Sequence, residues 1–199
     1  MSDPTTQVLA RLRRIAQSMA PTTAPVDEAL PALRKLLDDA GVPYKLVGGI
    51  AVVHHGYARM TDDIDVIVDG ASHGALDAHL AAHGFVRQSR ARLLHVPTGV
   101  RVDLLIGGDL GPRPGDPPYP APQAIVASPR DPSVAGLAGL LGLKLRAKRH
   151  QDLADIVALL KGVDDSAYVT LEADIAAELR PALADLRRDA LEELQFDDH

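Results

Sequence analysis

Apolar positions recur every three or four residues over 5–19, where Val8, Leu9, Leu12, Ile15 and Ala16 share one stripe, and this spacing predicts a helix. A break containing Pro and Thr at 21–25 separates it from a second predicted helix over 27–40, with Leu30, Leu33, Leu36 and Leu37 on one face and Gly41 placed to end it. The period then shortens. Tyr44 to Val47 is a short extended run that stops at Gly48-Gly49, Ile50 to Tyr57 reads as helix, and Ile64 to Val68 alternates with acids as a strand does. Residues 72–83 predict another helix through Leu76, Leu80 and Ala81, stopped by Gly84.

Two strands follow near 92–96 and 100–106, and the short Pro97-Thr98-Gly99 linker predicts an antiparallel hairpin. Gly107 to Pro122, rich in Gly and Pro, reads as a surface loop, and Ala124 to Ala127 as a further short strand. Residues 133–161 predict one long helix or two, with Gly136, Gly139 and Gly142 allowing close packing or a break. The last helices fall near 168–195, apolar at Leu171, Ile175, Leu179, Leu183, Leu186 and Leu191, before a frayed Asp197-Asp198-His199 tail. The expected fold is α/β (α+β): a helical leader over 1–41, a core with a small mixed sheet over 42–128, and a helical region over 129–199. A doubly wound parallel sheet fits less well, because the later strands are joined by a hairpin and not by helices.

Composition narrows the chemistry. Two Phe, four Tyr and no Trp in 199 residues leave an aliphatic core and no aromatic platform for single-stranded nucleic acid. The lack of cysteine excludes disulfides, thiolate zinc sites and cysteine nucleophiles. A formal net charge of -6 disfavours long nucleic acid, although Lys144, Arg146, Lys148 and Arg149 form one local basic cluster that an RNA end could use. Met1 to Ala20 lacks the apolar stretch of a signal peptide and no run reaches membrane length, so a cytoplasmic protein without membrane contact is expected.

Four features carry candidate chemistry. Val47-Gly48-Gly49 lies between a strand and a helix, where glycine lets backbone approach a ligand and the helix start suits phosphate; an ordinary turn has the same pattern. In Asp63-Ile64-Asp65-Val66 the two acids point to one strand face, with Cα atoms roughly 6.6 Å apart at two rises of ~3.3 Å. Solvent or a hard cation can offset their repulsion. Asp103 sits in the apolar strand Val100 to Ile106, where Arg101 on its own face, or a cation shared with Asp63 and Asp65, can compensate it. Lys144, Lys148, Asp152 and Asp155 would form one polar stripe on a continuous helix, either solvated with a Lys148–Asp152 pair or facing a triphosphate. His54 and His55 point about 100° apart on a helix, which suits packing or surface roles better than a shared ion.

Gly48-Gly49, thirteen residues and then Asp63-Ile64-Asp65, with Asp103 in a later strand, resembles the DNA polymerase beta-like nucleotidyltransferases. Arg59-x-Thr61-x-Asp63-Ile64-Asp65 and the stretch Lys144 to Leu160 resemble the small bacterial members, the minimal nucleotidyltransferases and AbiEii-type toxins, over about residues 42–160. The resemblance implies that Asp63, Asp65 and Asp103 hold two Mg2+ ions, or Mn2+, with Asp103 completing the second site or acting as general base. It implies that Gly48, Gly49, Arg59 and Lys144 bind the nucleotide. A nucleoside monophosphate would pass from NTP, ATP among them, to a hydroxyl on tRNA, a protein or a small molecule such as an antibiotic. A toxin–antitoxin role with a cognate antitoxin would follow from the same likeness. The competing expectations are a non-catalytic nucleotide-binding or protein-interaction module that keeps the fold, and a structural protein whose three acids do not converge.

Overall fold

The computed structural model describes residues 24–111 and 114–197. The helix expected over 5–19 and the end of the tail lie outside the described residues. Helix α1 (Ala24–Asp39) follows the predicted stripe, with Leu33, Leu36 and Leu37 fully buried. Gly41 ends it at φ 63°, which lets Val42 N donate back to Leu37 O at 3.0 Å.

The sheet contains β1 (Tyr44–Leu46), β2 (Asp63–Val68), β3 (Phe85–Ser89), β4 (Arg92–His95) and β5 (Val100–Ile106), in the order β1-β2-β5-β4-β3. β2 and β5 are parallel and the other pairs are antiparallel, including the expected β4–β5 hairpin. The short helix α2 (Gly48–His54) connects β1 towards β2. β3 escapes the sequence pattern because it is an edge strand of mixed character in which only Phe85 is buried.

Residues 72–83 are not one α-helix. They form two 3₁₀ turns, His73–Ala78 and Ala81–His83, closed by Gly84 at φ 76°. Gly74 and three histidines give the stretch weak helix propensity, which favours the shorter form. The strand expected at 124–127 is a 3₁₀ turn, Pro122–Ala124, followed by a single bridge from Ala127 to Ala135. Here the chain doubles back, with Ser128 N donating to Val134 O and Gly136 N to Val126 O, so only a short return is paired.

The stretch 133–161 holds two helices, α3 (Leu137–Ala147) and α4 (His150–Lys161), separated at Lys148, which takes φ 51°. Gly139 permits close packing, since a Cβ there would lie 2.7 Å from Ile125 Cγ2. α5 (Asp165–Asp174) is capped by Asp164, which accepts from Ala167 N at 2.8 Å, and α6 (Arg180–Asp197) closes the chain. Among the described residues no helix is long and apolar enough to cross a membrane.

The two sheet faces differ. Ile64, Val66, Val68, Val102, Leu104 and Ile106 join α1 and the C-terminal helices in one continuous core. On the other face a small cluster, Ile67 and Leu105 with Val47, Ile125, Ala135 and Leu143, covers only the C-terminal ends of β2 and β5. The N-terminal ends on that face carry acids.

Candidate active site

Strand alternation puts Asp63 and Asp65 on the face opposite Ile64 and Val66, and parallel pairing sets Asp65 beside Asp103 and Asp63 beside Arg101. The three acids therefore share one face. Asp65 is half-buried between the other two, and its pKa is raised to about 6, chiefly by burial, then by the charges of Asp63 and Asp103.

The neighbours of these acids differ from the expectation. Arg101 is the partner that sequence suggests for Asp103. The antiparallel β4–β5 register instead sets Arg92 opposite Asp103, and Arg92 Nε donates to Asp103 Oδ1 at 2.7 Å. Arg101 Nη2 lies 3.6 Å from Asp63 Oδ2. No spacing in the sequence marks Arg92, because only the register brings it to the site.

The glycine turn is packed directly against these acids. Gly48 has φ 56°, and a Cβ there would fall 1.8 Å from Asp65 Oδ2. Val47 N donates to Asp65 O at 3.0 Å, tying the turn to β2. A Cβ on Gly49 would meet Thr61 Oγ1 at 2.5 Å and Arg59 Nη2 at 2.8 Å. Thr61 Oγ1 donates to Asp63 O at 3.1 Å, so Thr61 wedges between the turn and the start of β2. The Arg-x-Thr-x-Asp-x-Asp sequence thus lines one side of the Gly-Gly turn.

Lys144 and its neighbours form a buried ion cluster in place of a solvated stripe. The break at Lys148 redirects α4, so Lys148 does not pair with Asp152 as a continuous helix would have it. Lys144 Nζ instead donates to Asp152 Oδ1 at 3.1 Å and to Asp155 Oδ2 at 2.7 Å. Asp152 also accepts from Arg149 Nε at 2.7 Å. Arg59 Nε lies 3.4 Å from Asp155 Oδ1. The Lys144 side chain is only 5% exposed and two carboxylates share its ammonium, so it faces the cluster more than solvent. Arg149 and Lys144 still act on Asp65, whose pKa both hold down.

His54 and His55 serve packing. His54 Nε2 pairs with Ser128 Oγ and His55 Nε2 with Ala135 O, each at 2.8 Å, which secures α2 to the 128–135 return.

Among the described residues no three His, Cys, Asp or Glu side chains already stand in ligating geometry. The donor chemistry nevertheless suits a hard divalent cation: burial first, and then the charges of Asp63 and Asp103, disfavour an ionised Asp65, and a cation among the three carboxylates would offset both. To ligate with Asp65, Asp103 and Asp63 would turn from Arg92 and Arg101, both side chains near half exposed and free of core packing.

Residues 29–106 match a protein-family model described as aminoglycoside-2''-adenylyltransferase. Two solved structures are similar to the chain at 14% identity. One is ANT(2'')-Ia in complex with adenylyl-2''-tobramycin, with a TM-score of 0.49, covering 82% of this chain and 97% of that one. The other is a solution structure of the antibiotic-resistance factor ANT(2'')-Ia, with a TM-score of 0.41, covering 89% and 98%. A search of curated proteins finds no match.

Proposed function

We propose that this chain is a nucleotidyltransferase of the DNA polymerase beta-like superfamily and that it moves AMP from ATP onto a hydroxyl of a small polycationic acceptor, an aminoglycoside. The observation that carries the reading is Asp65, pressed between Asp63 and Asp103 and against Gly48. The acceptor class is supported by the family description matched over 29–106 and by the net charge of -6, which favours a cationic ligand.

Asp63, Asp65 and Asp103 would hold divalent metal, Mg2+ or Mn2+. When bound, the metal supplies charge neutralisation for the triphosphate and lowers the pKa of the acceptor hydroxyl. The protein's own part is positioning. Gly48 and Gly49 bring bare backbone to the phosphates, and Arg59 sets its guanidinium beside that turn. Asp103 stands one strand over to complete the metal site or take the hydroxyl proton. The hydroxyl oxygen attacks the α-phosphorus, the bond to the bridging oxygen breaks, and pyrophosphate leaves. In this reading residues 42–128 supply the carboxylates and the turn, and residues 129–199 supply the ion cluster behind them.

An RNA end fits less well. Of the basic cluster, Lys144 is paired with Asp155 and Asp152, Arg149 with Asp152 and Arg146 with Glu178, so three of its four cations are engaged by acids of the chain. The test supplies each α-labelled NTP with Mg2+ to a panel of aminoglycosides, tRNA and total protein. Label passing from ATP to an aminoglycoside, and lost in Asp63→Ala, is the expected result. Label on tRNA or protein would redirect the assignment to the toxin–antitoxin role, and no transfer to any pool would contradict the reading.

A further inference from the structure

Asp155 lies on α4, 0% exposed, yet it reaches a loop residue at the edge of the glycine turn. Its Oδ2 accepts from Lys144 Nζ at 2.7 Å, and its Oδ1 accepts from Gln151 Nε2 at 2.9 Å while facing Arg59 Nε at 3.4 Å. Lys144 is shared between Asp155 and Asp152, and Asp152 in turn pairs with Arg149. What Asp155 adds and Asp152 does not is the contact with Arg59.

That contact has a geometric consequence. The guanidinium is a rigid planar fork, so a charge that draws Nε to one side leaves its two terminal nitrogens directed away from that side. Nη2 is then placed where it would lie 2.8 Å from a Cβ on Gly49, which makes the absence of a side chain there a requirement of the arrangement. Arg59 Nε is itself buried and has no hydrogen-bond partner within normal geometry, so the Asp155 charge is what holds that end. Three cations, Arg59, Lys144 and Arg149, stand against two carboxylates, Asp152 and Asp155, which leaves the cluster with a net positive charge beside the turn.

Resting on the nucleotidyl-transfer reading above, we propose that Asp155 is a positioning residue that aims the Arg59 guanidinium at the triphosphate through the Gly48-Gly49 turn. Being buried, Asp155 never meets the substrate, and its effect passes through Arg59. The proposal separates the tasks of the two helical-region acids: Asp152 bridges Lys144 and Arg149, whereas Asp155, beyond its pair with Lys144, serves the nucleotide through Arg59.

The test measures equilibrium binding of magnesium-ATP by calorimetry to the full chain and to Asp155→Asn, Arg59→Ala and the double variant, with melting curves for each. Asparagine keeps the size of the side chain and an oxygen for Lys144 or Gln151 but removes the charge. Each single variant is expected to weaken binding roughly tenfold, and the double variant to bind no more weakly than Arg59→Ala alone. With turnover as the readout, KM for ATP should rise while kcat at saturation holds. Losses that multiply in the double variant, or Asp155→Asn binding like the wild type, would overturn the proposal and leave the transfer reading intact. Failure of the wild type to bind any nucleotide would overturn both. Should Asp155→Asn not fold, Arg59→Lys decides. It keeps the charge without the fork, so binding as weak as that of Arg59→Ala supports an aimed guanidinium, and wild-type binding refutes it.

Discussion

Asp65 and Asp103 are direct partners across the parallel β2–β5 pair, and both side chains leave the sheet on the face that carries Asp63. Two other strands lie between β2 and β5 in the chain, so this is a long-range relationship that the fold must build. It places like charges side by side, with Arg92 donating to Asp103 and the charges of Arg149 and Lys144 acting on Asp65.

The first prediction follows from the burial of Asp65 and, after it, from the charges of Asp63 and Asp103. The folded-state pKa of Asp65 is raised to about 6, so its contribution to stability is fully present below the unfolded value, about 4, and is lost as pH rises through about 6. Above that range the metal-free protein carries a penalty on the order of 1–2 kcal/mol after allowance for partial solvation. Asp65→Asn should therefore raise Tm at pH 8 by a few degrees and leave it nearly unchanged at pH 4. Thermal melts in chelator at the two pH values check this, and a lowered Tm at pH 8 contradicts it.

Gly48→Ala should be damaging for two reasons at once. The backbone is at φ 56°, and the new Cβ would fall 1.8 Å from Asp65 Oδ2. Backbone strain together with displacement of that carboxylate should cost about 2–4 kcal/mol. Urea unfolding measures the loss. Nucleotide transfer should fall further than the lost stability accounts for, because Asp65 is moved. A variant with wild-type stability and turnover would show that the turn is not packed as described.

Arg34 provides a prediction remote from the site. Its Nη2 pairs with Asp131 Oδ2 at 2.7 Å and it also bonds Ser133 Oγ, fastening α1 to the 128–135 return. The Arg34 hydrogen bond, with help from Ser133, holds the Asp131 carboxyl well below the ordinary range. The stabilisation is thus present above the unfolded pKa, near 4, and is lost as pH falls towards the depressed folded value. Asp131→Asn should cost about 1 kcal/mol at pH 7, and the difference from wild type should shrink by pH 2.5. Denaturant melts at the two pH values report it, and an unchanged difference would show that the charge is not the source.

The amphipathic helices and the alternation at Asp63 to Val68 are legible in the sequence because each is a local period, and so is the shared face of Asp63 and Asp65. That Asp103 joins them is implied by resemblance alone; spacing is silent on it, because it depends on which strands pair. The same limit hides Arg92, which reaches Asp103 only through the β4–β5 register, and leaves Arg101 as the apparent partner. β3 has no clear period because an edge strand buries only Phe85. The ion cluster looks like a stripe in the sequence because two residues, Lys148 and the extended Arg149, leave helical backbone, and a lysine at φ 51° has no sequence signature comparable to glycine or proline. Buried charges on a helix look like surface charges until the packing is known.

Lys144→Met tests whether that cluster is buried. Removing the ammonium leaves Asp155 and Asp152 without the cation they share, Asp155 at 0% exposure. A loss of about 3–5 kcal/mol is expected in urea unfolding at pH 7, far above the few tenths of a solvated helical pair. A loss below about 0.5 kcal/mol would return Lys144 to the surface.

The central claim is that Asp63, Asp65 and Asp103 share a cation beside the glycine turn. Its most direct test is diffraction at the manganese edge from crystals grown with Mn2+ and a non-hydrolysable ATP analogue. Anomalous density bounded by those three carboxylates, with the phosphates against Gly48-Gly49, is the predicted result. Nucleotide bound elsewhere, or manganese held without Asp65, would contradict it.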